Sequence, residues 1–165
     1  PAGFPPLETT MRLSEYLEPD LIMTDLRARG VEDAIDAMVA RLADADRIDD
    51  VDRVRQAVLD REESHTTALG NGVALPHATI PGLERARILV AVAPDGIPFG
   101  PDPESRPERL FFMLLSPLDE AGTHIKLLAR IVRLVRSREF VDSLVAAGSP
   151  GAILDAIERE DALHV

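Results

Sequence analysis

Residues 88–94, ILVAVAP, and 109–117, RLFFMLLSP, decide the fold. Each is a short apolar run stopped by proline and rich in β-branched or aromatic residues, with none of the polar alternation of a half-exposed strand. Such runs read as strands buried on both faces of a sheet. A third segment lies upstream at 68–77, ALGNGVALPH, where two glycines permit a tight turn and Pro76 interrupts strand pairing just before His77. Between the two long runs, 96–108 (GIPFGPDPESRPE) holds four prolines and no periodicity, which predicts an exposed loop.

Outward from these strands the period of the apolar pattern becomes helical. Ala34, Ile35, Met38, Val39, Leu42 and Ala45 recur at three- and four-residue steps after Gly30. Asp49 or Asp50 is placed to cap a second helix carrying Val51, Val54, Val58 and Leu59, which runs out near Arg61-Glu62-Glu63. Downstream, Ile125, Leu128, Ile131, Val132 and Val135 form one stripe, followed by Phe140, Leu144 and Val145. Ser149-Pro150 supplies an N-cap and a proline at the first helical position, and Ile153, Ile157 and Leu163 close the chain. Near the start, MRLSEYL predicts a helical turn ended by Pro19, and Leu21-Ile22-Met23 a strand. Residues 1–10, PAGFPPLETT, read as a disordered tail or a non-native remnant with Met11 as the natural start, leaving 11–165 as one domain. Strands flanked by helices at both ends imply an α/β layered domain whose sheet is covered on both faces.

With 165 residues, 45% hydrophobic and 28% charged, the chain fits a single core. A formal net charge of −11 argues against nucleic acid and suits a basic protein partner. No apolar run approaches the ~20 residues of a membrane span, and no signal-peptide layout opens the chain, so membrane insertion is not expected and a cytoplasmic location is. The sequence holds no cysteine, which excludes disulfides and thiolate chemistry. Any metal would rest on His, Asp or Glu, and histidines at 65, 77 and 124 do not suggest a ligand set, so no metal, cofactor or metal-hydrolase activity is expected.

His77, placed just past Pro76 at the end of a short strand, is the candidate nucleophile: a neutral imidazole nitrogen attacks phosphorus, and phosphohistidine is labile enough to pass the group on. Arg61, sixteen residues upstream, offers a planar fork for the equatorial oxygens. Thr66 and Thr67 carry hydroxyls able to bind phosphate or fix the imidazole tautomer. His124 follows Gly122-Thr123 at a helix start, where the dipole disfavours protonation and leaves a neutral donor. Taken singly, each is a solvated loop, turn or helix-end residue; Glu62-Glu63, at the charged end of a helix, reads as a solvated face, and His65 and His164 as surface residues.

Together, REESHTT, ALGNGVALPHATIPGL, VAVAPDGIPFG, RLFFMLLSP and GTHIKLLARIV resemble, in order and spacing, the type-2 enzyme IIA family of the bacterial phosphotransferase system, over roughly residues 11–160. The opening MRLSEYLEPDLI is similar to its nitrogen-regulatory branch. The resemblance implies a mixed, about five-stranded sheet between helices in a three-layer sandwich. It also implies a phosphotransferase that accepts phosphate from phospho-HPr, or its nitrogen-branch paralogue, on Nε2 of His77. Arg61 then stabilises phosphate, Thr67 hydrogen-bonds, and His124 is the second active-site histidine. The chain departs from the family pattern at His65, Ala78 and Glu108. Two rivals stand beside a regulatory IIA protein. One is a fructose- or mannitol-specific IIA component that passes phosphate to enzyme IIB, against which the lack of a fused IIB or membrane segment in these residues weighs. The other is a non-catalytic sensory domain of a transporter.

Overall fold

A computed structural model of the chain describes residues 11–100, 104 and 106–164. The expected 1–10 tail, and 101–103 and 105 of the proline-rich stretch, lie outside the described residues. The two deciding runs form the centre of the sheet. Strand β4 (Arg87–Ile97) pairs antiparallel with β5 (Glu108–Pro117), Val90 opposite Phe112. A two-residue strand β1 (Ile22–Met23) adds parallel to β4, while β2 (Val73–Ala74) and β3 (His77–Ile80) lie in line, both parallel to the other side of β5. The result is a mixed five-stranded sheet.

Alternation along the central strands explains why they are apolar throughout. Leu89, Ala91, Phe111, Met113 and Leu115 pack with helices α1 (Val31–Asp44) and α2 (Val51–Ser64). Ile88, Val90, Leu110, Phe112 and Leu114 pack on the opposite face with α3 (Ala121–Val135), α4 (Arg138–Ala146) and α5 (Pro150–Leu163). Both faces of the sheet are therefore dry, and the three-layer α/β sandwich follows. The starts of α2 and α5 are capped as their sequences require. Asp50 accepts from the Arg53 amide at 3.1 Å and Ser149 from the Ala152 amide at 3.1 Å, caps worth about 1 kcal/mol each.

Four expectations need correction. The buried stripe of α3 is His124, Leu127, Ile131, Leu134 and Val135, so the helix is turned from the predicted phase and Ile125 is 65% exposed. Apolar residues flank both possible faces there, and a polar histidine wins the inward place because it finds a buried hydroxyl. Leu163 is exposed, and Asp161 takes the inward position on α5. Its carboxylate accepts from the Leu13 amide at 2.7 Å and Arg130 Nε at 2.6 Å, binding the N-terminal 3₁₀ turn to the last helix.

The 96–108 stretch is not wholly an exposed loop. Pairing resumes past Pro94 through a register shift, with Ile97 opposite Glu108, and Phe99 is buried edge-on to Phe111 at 5.2 Å between ring centroids. Gly96 makes this possible: its φ is 77° and an added Cβ would lie 2.8 Å from Pro107 Cβ. Glu62, expected on a solvated face, is buried as well.

Glu108 is buried with Oε2 unpartnered, and burial pushes its pKa up from 4.5 to about 7. A raised carboxylate stabilises the fold below its unfolded pKa and loses that contribution as pH rises from about 4.5 through about 7. Glu108→Leu should therefore raise stability by ~1–3 kcal/mol at pH 8 and by clearly less at pH 5. Urea melts at the two pH values check this; an equal gain at both would contradict it.

Candidate active site

The chain leaves β2 at Ala74, and Pro76 has no N–H to extend the ladder. Its carbonyl instead accepts from the Leu114 amide at 3.0 Å, and pairing restarts with His77 opposite Leu114. Among the described residues β3 pairs only with β5, so His77 opens an edge strand. A shallow cleft of about 310 Å³ lies beyond that edge, lined by Arg61 and Ala57 of α2, by His77 and Thr79 of β3, and by His124 of α3.

His77 Nδ1 lies 2.8 Å from the Leu75 carbonyl oxygen. A carbonyl only accepts, so Nδ1 carries the proton and donates it, and in the neutral ring the lone pair is left on Nε2. The surroundings favour that neutral ring. Burial lowers the His77 pKa most; the Leu75 bond opposes this, the Arg61 guanidinium lowers it further and the Glu62 carboxylate raises it. His124 sits 5.5 Å away between ring centroids, tilted by 53°. Its pKa is also lowered, by burial and then by His77. The sequence led to a neutral His124 through the helix dipole; burial is the larger cause found here.

His124 Nδ1 meets Ser116 Oγ at 2.7 Å, and Ser116 is fully buried. A hydroxyl can donate or accept, so this bond admits either ring tautomer; the one in which the hydroxyl donates puts the His124 proton on Nε2 and makes the second imidazole a hydrogen-bond donor. Sequence reasoning missed Ser116, although its signal was present: it is the one hydroxyl in the otherwise apolar run 110–117.

It also misplaced Glu62, which is not solvated. Glu62 is 7% exposed and accepts from the Thr67 amide at 2.7 Å and the Thr67 hydroxyl at 2.5 Å. Thr67 thus spends its hydroxyl on Glu62, and the Leu75 carbonyl, not Thr67, fixes the His77 tautomer. The Glu62–Thr67 pair closes the 65–67 corner after α2. There Arg61 donates from Nη1 to the His65 carbonyl at 3.0 Å, which steadies the guanidinium beside the cleft. The structure brings His77, Arg61 and His124 together, keeps Thr67 out of the cleft lining and bonded to Glu62, and leaves His65 exposed.

A half-buried neutral imidazole, a second neutral imidazole and a guanidinium around one opening form a set suited to an incoming tetrahedral dianion. The family model for the phosphoenolpyruvate-dependent sugar phosphotransferase system, EIIA 2, matches residues 15–160. The chain belongs to this family. Its members are phosphotransferases that carry a phosphohistidine. This type-2 IIA chain is 31% identical over 147 residues to the nitrogen regulatory protein of Bradyrhizobium diazoefficiens, covering 89% of the chain and 95% of that protein. It is 29% identical over 151 residues to the fructose-specific EIIABC component of Bacillus subtilis, covering 92% of the chain but only 24% of that longer protein. Among solved structures, nitrogen regulatory protein IIA-Ntr of Neisseria meningitidis matches with a TM-score of 0.80 at 22% identity, over 88% of this chain and 98% of that one. Among the described residues, no helix of the IIA chain is long and apolar enough to cross a membrane.

The electrostatics of this IIA site predict a titration. By ¹⁵N NMR, His77 should titrate below 6.5, with Nδ1 protonated in the neutral ring, and Arg61→Gln should raise its pKa by removing a nearby cation. A pKa above 6.5, or no upward shift in Arg61→Gln, would contradict the assignment.

Proposed function

We propose that this chain is a phosphoryl carrier whose acceptor is Nε2 of His77. The observation that carries this reading is the 2.8 Å contact from His77 Nδ1 to the Leu75 carbonyl, which leaves the ring's free lone pair on the other nitrogen. In the forward step that lone pair attacks the phosphorus of a phosphohistidine on the donor. The donor's N–P bond breaks, its imidazole leaves with the electron pair, and the His77 Nε2–P bond forms. Arg61 compensates charge on the equatorial oxygens, and His124, its Nδ1 bound to Ser116, donates from Nε2. Thr67 acts through Glu62, keeping the corner that carries Arg61 in place. The donor is phospho-HPr or its nitrogen-branch paralogue, and the location cytoplasmic.

Regulation is the role we favour downstream. The similarity to the Bradyrhizobium nitrogen regulatory protein extends over 95% of that protein's length, and MRLSEYLEPDLI resembles the same branch. Phosphorylation adds about −1.5 to −2 charges to a chain of net charge −11, enough to change an electrostatic interface with a regulatory target protein. The alternative recipient is an enzyme IIB on the way to fructose or mannitol.

Incubation with phosphoenolpyruvate, enzyme I and HPr, followed by intact mass, tests the reading. The expected result is one acid-labile, base-stable addition of ~80 Da that is lost in His77→Ala. Arg61→Ala should fold normally and transfer ~10²–10³-fold more slowly. Retention of the addition in His77→Ala, or unchanged rates in Arg61→Ala, would overturn the assignment. Pull-downs with the two charge states then separate a regulatory target from an enzyme IIB.

A further inference from the structure

Among the described residues, a cleft larger than the one at His77 lies elsewhere. About 460 Å³ of space lies at the other end of β5, bounded by the Gly70-Asn71-Gly72 turn, the start of β5 and the junction of α3 with α4. The Gly72 carbonyl accepts from the Arg109 and Leu110 amides, whereas His77 is in register with Leu114. Four strand residues, about 13 Å, separate the two positions along β5. This cleft therefore has no part in the transfer chemistry.

Its walls carry an unexpected charge. In a chain of net charge −11, four arginines converge here: Arg106 and Arg109 from the strand side, Arg136 and Arg138 from the helix junction. Asp142 neutralises one of them, with Arg109 Nη2 3.3 Å from its carboxylate. Among the described residues, Arg106, Arg136 and Arg138 have no ion-pair partner, although acidic residues outnumber basic ones 29 to 18 overall. Arg138 also opens α4, where the helix dipole disfavours a cation. Three uncompensated guanidiniums around one concavity repel one another, and an anion in the concavity relieves that repulsion.

The two banks are bolted together in advance. Asn71 Nδ2 donates to the Val135 carbonyl at 2.9 Å, fixing the turn to the end of α3, and the Arg109–Asp142 pair ties β5 to α4. A cleft of this volume is within the ~300–1,000 Å³ range of small-molecule sites. Its lining offers guanidinium forks suited to phosphate and no aromatic ring on which a base could stack. We propose that this cleft binds a small metabolite carrying two phosphate groups, one on each arginine bank, independently of the phosphoryl state of His77.

Titration calorimetry with inorganic pyrophosphate as the probe, on the full chain at about 0.15 M salt, tests the proposal. The expected result is saturable one-to-one binding with Kd below about 1 mM, weakened about ten- to a hundredfold in Arg136→Ser/Arg138→Ser. Arg133→Ser, an exposed arginine outside the cleft, and His77→Ala should bind as the wild type does. Amide shift changes should centre on Gly70, Gly72 and Arg109, and unchanged thermal melts of the unliganded variants establish that they are folded. Absence of saturable binding, equal weakening by Arg133→Ser, or loss of binding in His77→Ala would each overturn the proposal. The last outcome would assign the anion to the His77 cleft and leave the carrier function standing.

Discussion

One hydrogen bond, from His77 Nδ1 to the Leu75 carbonyl, is the constraint on which the proposed carrier chemistry depends. It exists because Pro76 breaks the ladder between two short strands, so the backbone kinks and brings a carbonyl under a ring two residues on. A carbonyl cannot donate, so the bond allows only one tautomer. Burial then lowers the ring's proton affinity, and Arg61 adds to that effect, so that near neutral pH the lone pair on Nε2 is free. A solvated histidine would present a mixture of tautomers and a larger protonated fraction at the same pH.

The rest of the fold can be understood as the support for that bond. The central strands are apolar on both faces, which gives β5 no freedom to slip: a one-residue shift would carry Ser116 away from His124 and exchange the two cores. Among the described residues six polar or charged side chains are buried, and four of them form two pairs: Thr67 on Glu62, next to Arg61 in the chain, and Ser116 on His124, which lines the His77 cleft. Each has a partner there, as buried polar groups require. Of the other two, Asp161 clamps the N-terminal turn to α5, while Glu108 keeps an unpartnered oxygen in the core.

The sheet was legible in the sequence because strands dry on both sides cannot hide among polar neighbours. The helices were legible as segments, but the phase of α3 was not. Ile125 and Leu127 compete for the inward face, and what decides between them is a bond from His124 to a serine on another element. The same reason concealed Glu62: in REESHTT it looks like part of a charged helix end, and only the return of the chain at Thr67 buries it. Phe99 lay in a proline-rich stretch with no period, and its burial depends on Gly96 allowing β4 to resume. His77, Arg61 and His124 could be singled out by residue type and local context, since glycine, proline and helix-start signals mark their positions. The tautomer could not be read, because it is set by a backbone atom.

The central claim is that the proton on Nδ1 of His77 directs the phosphoryl group to Nε2. Long-range ¹H–¹⁵N and ³¹P–¹⁵N correlation spectra of the phosphorylated protein measure this directly. The account predicts phosphorus coupled to Nε2 of His77, with a proton still on Nδ1. Phosphorus on Nδ1, or on His65, His124 or His164, would contradict it.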